Sequence, residues 1–144
     1  MKHIKGQKFS EKHGSGAQVD PAIKAEIEKK AGAGEVACAA AFQIADTLGI
    51  PPAEVGKTID LMELKINKCQ LGLFGYKPEK KAVKPKKPAS RQMEDAVRNA
   101  LIDGKLACRD AWRIARRFNV PKMSVSSVCE ALGIKIKPCQ LGAF

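Results

Sequence analysis

The chain has 144 residues, of which 44% are hydrophobic, and a formal net charge of +11. This length allows one ordinary domain or two small ones, and the net positive charge favours a polyanionic partner such as nucleic acid. No stretch approaches the ~20 apolar residues of a membrane span. The basic start of the chain also lacks the apolar run of a secretory signal. We therefore expect a cytoplasmic protein with no membrane partner.

An internal repeat organises the sequence. Residues 34–74 and 104–144 align without a gap at an offset of 70, and both copies contain Cys-Gln-Leu-Gly, followed two residues later by Phe. Each copy is about 55 residues long, near the lower limit for a self-sufficient core. The repeat predicts a flexible basic tail (1–19), module 1 (20–74), a solvated Lys/Pro-rich linker (75–90) and module 2 (91–144).

The predicted elements follow the same order in both copies. Asp20 and Pro21 begin a first helix, since Asp can cap a helix and Pro suits its first turn. Further helices are predicted over 35–48 and 52–64 in copy one, and over 105–118 and 122–132 in copy two. Gly49 and Asn119 are expected to make the turn between the two helices, because both residues tolerate a left-handed backbone. After the third helix, an extended piece at 64–66 or 134–136 is either a minimal β-strand or the first arm of a small wing.

The second and third helices share a packing pattern. Copy one has Ile44-Ala45, Leu48-Gly49-Ile50 and Val55; copy two has Ile114-Ala115, Phe118-Asn119-Val120, Val125 and Val128. The small Ala allows close approach of two helices, and the apolar residues form a miniature core. The pattern resembles the helix-turn-helix of transcription regulators. The resemblance implies a mainly α protein with two tandem three-helix helix-turn-helix modules that binds double-stranded DNA.

The two copies differ most in their basic residues. All six arginines of the chain lie in copy two, and four of them share one face of its second helix: Arg109, Arg113, Arg116 and Arg117. The equivalent positions in copy one are Ala39, Gln43, Asp46 and Thr47. A basic stripe on one copy only is expected to face DNA phosphates.

The third helix of copy two has short polar side chains and a lysine where a recognition helix would contact bases. These candidate DNA-binding residues are Lys122, Ser124, Ser126 and Ser127. Copy one has Glu54, Asp60 and Glu63 in the corresponding region, and these acidic residues oppose a phosphate backbone. Module 2 is thus the expected DNA reader, and module 1 is assigned to dimerisation, in a homodimer, or to support.

Other functions remain open at this stage. The repeated cysteines, Cys38, Cys69, Cys108 and Cys139, either fill the core or form a zinc, iron–sulfur or redox site in a sensing regulator. Packing is the favoured interpretation, so no cofactor is expected. No enzyme is expected either, since no acid–base pair or phosphate-cradling glycine loop recurs. A helical module that docks a protein partner is the second alternative.

Overall fold

The protein is mainly helical. The computed structural model describes residues 18–144, so the predicted tail lies outside the described residues except for its last two positions. The elements in chain order are α1 (Pro21–Lys30), β1 (Glu35–Ala37), α2 (Cys38–Leu48), α3 (Pro52–Leu61), β2 (Lys65–Asn67), α4 (Arg91–Asn99), α5 (Cys108–Arg117) and α6 (Lys122–Leu132). None of these helices is long and apolar enough to cross a membrane.

The chain forms two compact units, and each unit takes residues from both copies of the repeat. Among the described residues, unit 1 contains 18–69 together with 140–144, and unit 2 contains 70–139. We call 70–74 and 140–144 the exchanged segments, because each belongs to the unit built mainly from the other copy. The modules inferred from the repeat, 20–74 and 91–144, keep each segment with its own copy and differ from the compact units at these two places.

The helices of unit 1 begin and end at residues suited to those positions. The Asp20 carboxylate accepts hydrogen bonds from the backbone N–H groups of Ala22 (2.8 Å) and Ile23 (3.3 Å), and so caps α1. Gly49 caps the C-terminal end of α2 and has a φ of 63°. Asn119, at the same position in copy two, has a φ of 52°. Both expected left-handed turns are therefore present.

Two short parallel strands precede and follow the helical pair of unit 1. β1 pairs with β2 in a register that places Val36 opposite Ile66, and Val36 is fully buried. In unit 2 the same relation is reduced to a single parallel bridge between Leu106 and Ile136. The extended piece therefore pairs with residues that precede the second helix. In a wing, the extended piece would instead form a hairpin with the residues that come after the extended piece.

This pairing moves the start of the second helix in both copies. Residues 35–37 and 105–107 were predicted to be helical, and α2 and α5 instead begin at Cys38 and Cys108. Residues committed to a strand or bridge have an extended backbone, so the helix cannot begin until they are passed. In copy one the third helix also ends at Leu61, three residues earlier than predicted.

Part of the predicted solvated linker packs against the rest of unit 2. The N–H groups of Ala82 and Val83 donate to the Gly72 carbonyl at 2.8 and 3.0 Å, and the Lys86 N–H donates to the Ser127 carbonyl at 3.1 Å. Val83 is only 6% exposed. We call residues 81–86 the strap, because this part of the linker is bound to unit 2 through its backbone and through one buried side chain.

Candidate nucleic-acid interface

The basic stripe predicted on the second helix of copy two is exposed in the structure. Ala111, Ile114 and Ala115 are the buried side of α5. The opposite side is the arginine face, which consists of Arg109, Arg113, Arg116 and Arg117, all exposed. The side chains of Arg109 and Arg113 are each 68% exposed. The 3.6-residue period of the helix thus places four guanidinium groups on the solvent side of α5.

One carboxylate lies beside this face. The Asp110 carboxylate is 3.6 Å from Nη1 of Arg113 and 3.9 Å from Nε of Arg109, and the Asp110 side chain is 12% exposed. Arg117 lies over the ring of Phe118 at 5.3 Å, and Arg116 has no ion-pair partner among the described residues. Four guanidinium groups outnumber this one carboxylate, so the arginine face remains positively charged.

A groove of about 260 Å³ runs between α4 and α5 in unit 2. Its polar lining is Asn99, Asp110, Arg113 and Arg117, and its apolar lining is Ala96, Ala100 and Ile114. A guanidinium group presents its N–H donors in a planar fork that matches the geometry of a phosphate. The groove therefore gives the arginine face a recess in which an anionic oxygen can meet two such groups.

The arginines of α4 differ from those of α5 because each has its own acidic neighbour. Arg98 Nε lies 3.0 Å from the Glu94 carboxylate, and Arg91 Nε lies 4.0 Å from the Asp95 carboxylate, both at i,i+4 spacing. The α4 surface is thus close to neutral. Of these two helices, α5 is the one that carries net positive charge.

The four candidate residues of α6 differ in exposure and in their contacts. Lys122 has its Nζ 4.5 Å from the centroid of the Trp112 ring, a cation–π contact that holds it against α5. Ser124 and Ser127 are half-buried. Ser126 is fully buried, so its side chain is not at the surface where the predicted DNA contact would be made. It follows Val125 and precedes Val128 and Cys129 on the face of α6 that forms the core.

The outward face of α6 is also covered. A Cβ on Gly72 would lie 3.0 Å from Sδ of Met123, Lys81 pairs with the Glu130 carboxylate, and the Ser127 carbonyl accepts from the strap. Met123, Ser127 and Glu130 are spaced four and three residues apart, so they share one side of the helix. The strap and the residues around Gly72 therefore lie over the side that a recognition helix would present.

Copy one has no counterpart of the arginine face. Gln43 of α2, at the position of Arg113, accepts a hydrogen bond from Nζ of Lys30 at 3.4 Å, and the positions of Arg116 and Arg117 are Asp46 and Thr47. On α3, Glu54 is exposed and Asp60 is 5% exposed. The helices α2 and α3 of unit 1 therefore lack the concentration of positive charge that α5 provides in unit 2.

The five cysteines are thiols packed in the two units. Cys38, Cys69, Cys108 and Cys129 are buried, and Cys139 is half-buried. Between residues 18 and 144, no three Cys, His, Asp or Glu side chains come together as a metal site. Burial, with a smaller contribution from Glu130, raises the pKa of the Cys129 thiol to about 11. Burial of this kind agrees with the packing interpretation of these residues.

Comparison of the chain with models of protein families, with curated proteins and with solved structures finds no match. The surface of unit 2 is therefore the basis for assigning a function.

Proposed function

We propose that this protein binds double-stranded DNA through the arginine face of unit 2. The observation that carries this proposal is the charge arrangement on α5, where, within residues 18–144, four exposed guanidinium groups lie beside a single, mostly buried carboxylate. Neutralising DNA phosphates with Lys and Arg releases condensed counterions, and this release is the main source of affinity in electrostatic DNA binding. The excess of lysine in the strap and its flanking residues adds to the attraction.

The helix-turn-helix resemblance supports the same proposal. Gly49 and Asn119 turn the chain between the two helices of each copy as the pattern requires. In the proposal, α1–α3 and α4–α6 are two tandem three-helix modules, and the first has the role of dimerisation or support. A role in the regulation of transcription is a narrower hypothesis, because it depends on contact between α6 and the bases.

The test measures the salt dependence of binding to a fluorescently labelled duplex of about 20 base pairs. The slope of log affinity against log salt is expected to fall by about 0.9 for each phosphate contact removed. Arg113→Ala and Arg116→Ala should each weaken binding and reduce this slope. Arg116→Lys should retain most of the slope, since it keeps the positive charge.

Arg91→Ala is the matched control. It removes the same charge from a side chain that is 93% exposed and paired with Asp95 on α4, so it should change the slope less than the α5 variants do. Equal losses from Arg91→Ala and Arg116→Ala would indicate that only net charge matters. If the protein binds no duplex even at low salt, the proposal is wrong and a protein-docking module becomes the better candidate.

A further inference from the structure

We infer that the protein binds the backbone of duplex DNA and does not read its base sequence. The inference rests on the proposed function and specifies its ligand as duplex DNA of any sequence. Its basis is the position of the strap, which covers the side of α6 that a helix-turn-helix protein inserts into the major groove. Three arguments support the inference: the contacts of the strap, the width of the major groove of DNA and the chemistry of the arginine face.

The orientation of α6 leaves one side for DNA. Val125, Ser126, Val128 and Cys129 are buried in unit 2. Met123, Ser127 and Glu130 lie on the opposite side of the helix. In a helix-turn-helix protein, the side chains that contact base edges come from this outward side. On α6, all three of these residues are already engaged by residues 72–86 of the same chain.

The strap is attached at several points. The backbone of Ala82 and Val83 is hydrogen bonded to Gly72, and the backbone of Lys86 is hydrogen bonded to Ser127. The ion pair of Lys81 and Glu130 adds a contact at the level of the last turn of α6. Lifting the strap would break these bonds and expose the buried Val83 side chain, so the covered state of α6 is the stable one.

The width of the major groove excludes a covered helix. An α-helix with its side chains is about 10–12 Å in diameter, and the major groove is about 12 Å wide. The major groove therefore accommodates one helix, but not a helix with a second segment of chain on the side that faces the bases. The remaining polar candidates are Ser124, which is half-buried, and Lys122, which lies on the Trp112 ring.

The arginine face does not need α6 to bind DNA. Contacts to phosphate oxygens fix a protein on the duplex but carry no direct sequence information. Arg109, Arg113 and Arg116 can reach the backbone from the open side of α5, because they are exposed there. The arginine face thus recognises what all duplexes share, whereas Met123, Ser127 and Glu130, on the side of α6 that could distinguish them, are engaged by residues 72–86.

The experiment is a competition assay with the full chain. A labelled duplex is displaced by unlabelled duplexes of equal length and unrelated sequence. In parallel, a pool of duplexes with randomised sequence is subjected to repeated rounds of selection for binding. We expect affinities that agree within about threefold and no enriched motif. A base-reading protein loses about tenfold or more for a changed base pair, so an enriched motif with such a preference would overturn the inference.

Two variants add an independent readout. Ser127→Ala and Ser124→Ala should leave the affinity for every duplex unchanged, whereas Arg116→Ala should weaken binding to all of them by the same factor. A loss caused by Ser127→Ala on one duplex but not on others would show base contact by α6 and overturn the inference. Absence of binding to any duplex at low salt would instead contradict the proposed function, so the two failures are distinguishable.

Discussion

At the scale of single residues, Gly56 and Ser126 occupy equivalent positions of the repeat but meet different surroundings. A Cβ at Gly56 would lie 1.8 Å from the carbonyl oxygen of Leu141, within unit 1. Ser126 is fully buried, and its hydroxyl has no hydrogen-bond partner in the described part of the chain. The exchanged segment 140–144 therefore requires glycine beneath it in unit 1, whereas unit 2 accommodates a side chain at this position.

Substitution by alanine should destabilise the protein at Gly56 but not at Ser126. Gly56→Ala forces a methyl group into the backbone of Leu141, and overpacking of this kind costs about 1–3 kcal/mol. Ser126→Ala removes a buried hydroxyl without a partner and should be neutral or slightly stabilising. Urea unfolding of the two variants measures both free energies. A Gly56→Ala variant as stable as the unaltered protein would contradict this account of the segment.

The Cys129 thiol gives a prediction for alkaline pH. Its ordinary pKa is 9.0, and burial raises the pKa to about 11 in the folded protein. The folded state holds the proton more tightly than the unfolded state does. The resulting stabilisation is therefore fully present below pH 9 and is lost as the pH rises from 9 to 11.

Comparison with Cys129→Ala isolates this contribution from other groups that titrate in the same range. The difference in free energy of unfolding between the unaltered protein and the variant should narrow as the pH rises from 9 to 11. Thermal or urea unfolding at several pH values measures it. A difference that stays constant over this window would show that burial does not hold the proton on Cys129.

At the scale of elements, the helices were predictable because local signals mark them. Asp20, Gly49 and Asn119 each act through their own backbone or side chain, so their effect can be recognised without the rest of the fold. The strand at 35–37 was missed because its partner lies about 30 residues further along the chain. Val36 fits a helix pattern equally well, and only its pairing with β2 decides between a helix and a strand.

In the candidate site, too, the features with a local sequence signal were predictable and the others were not. The arginine face follows from helical spacing within α5, and the structure shows it exposed as expected. The burial of Ser126 was not foreseen, because a short polar residue carries no local signal of the core. The strap was not foreseen either, since a single Val83 among lysines and prolines gives little hydrophobic pattern.

Amide hydrogen exchange tests the strap as an element. The N–H groups of Val83 and Lys86 donate to carbonyl oxygens of unit 2, and they should exchange at least about tenfold more slowly than those of the neighbouring Lys84 and Lys87. Val83→Ser should accelerate exchange at both protected sites. The rates are measured residue by residue by NMR, and equal rates at all four positions would show that the strap is solvated.

At the scale of the whole molecule, the two exchanged segments make each unit a product of both copies. Leu141 is 1% exposed and belongs to unit 1, and Leu71 is fully buried and belongs to unit 2. Each of these leucines is therefore a core residue of the unit that contains most of the other copy. The sequence shows that both copies have the same Gln-Leu-Gly segment near their ends, but it does not show which compact unit each segment belongs to.

Truncating the two leucines should have crossed effects. Leu→Ala in a core costs about 2–5 kcal/mol, so both variants should be destabilised. Leu141→Ala should accelerate amide exchange in α2 and α3 of unit 1, and Leu71→Ala should accelerate it in α5 and α6 of unit 2. Each variant is the control for the other. If each leucine instead loosened the helices of its own copy, the exchange of segments would be contradicted.

The exchanged segments also bear on how this sequence can change over evolutionary time. A tandem duplication ordinarily frees one copy to be lost or rebuilt, because the other still folds. Here, loss of either copy would remove five residues from the unit built mainly from the other copy. The two copies are therefore inherited together, and the arginine face is a difference between them that involves neither exchanged segment.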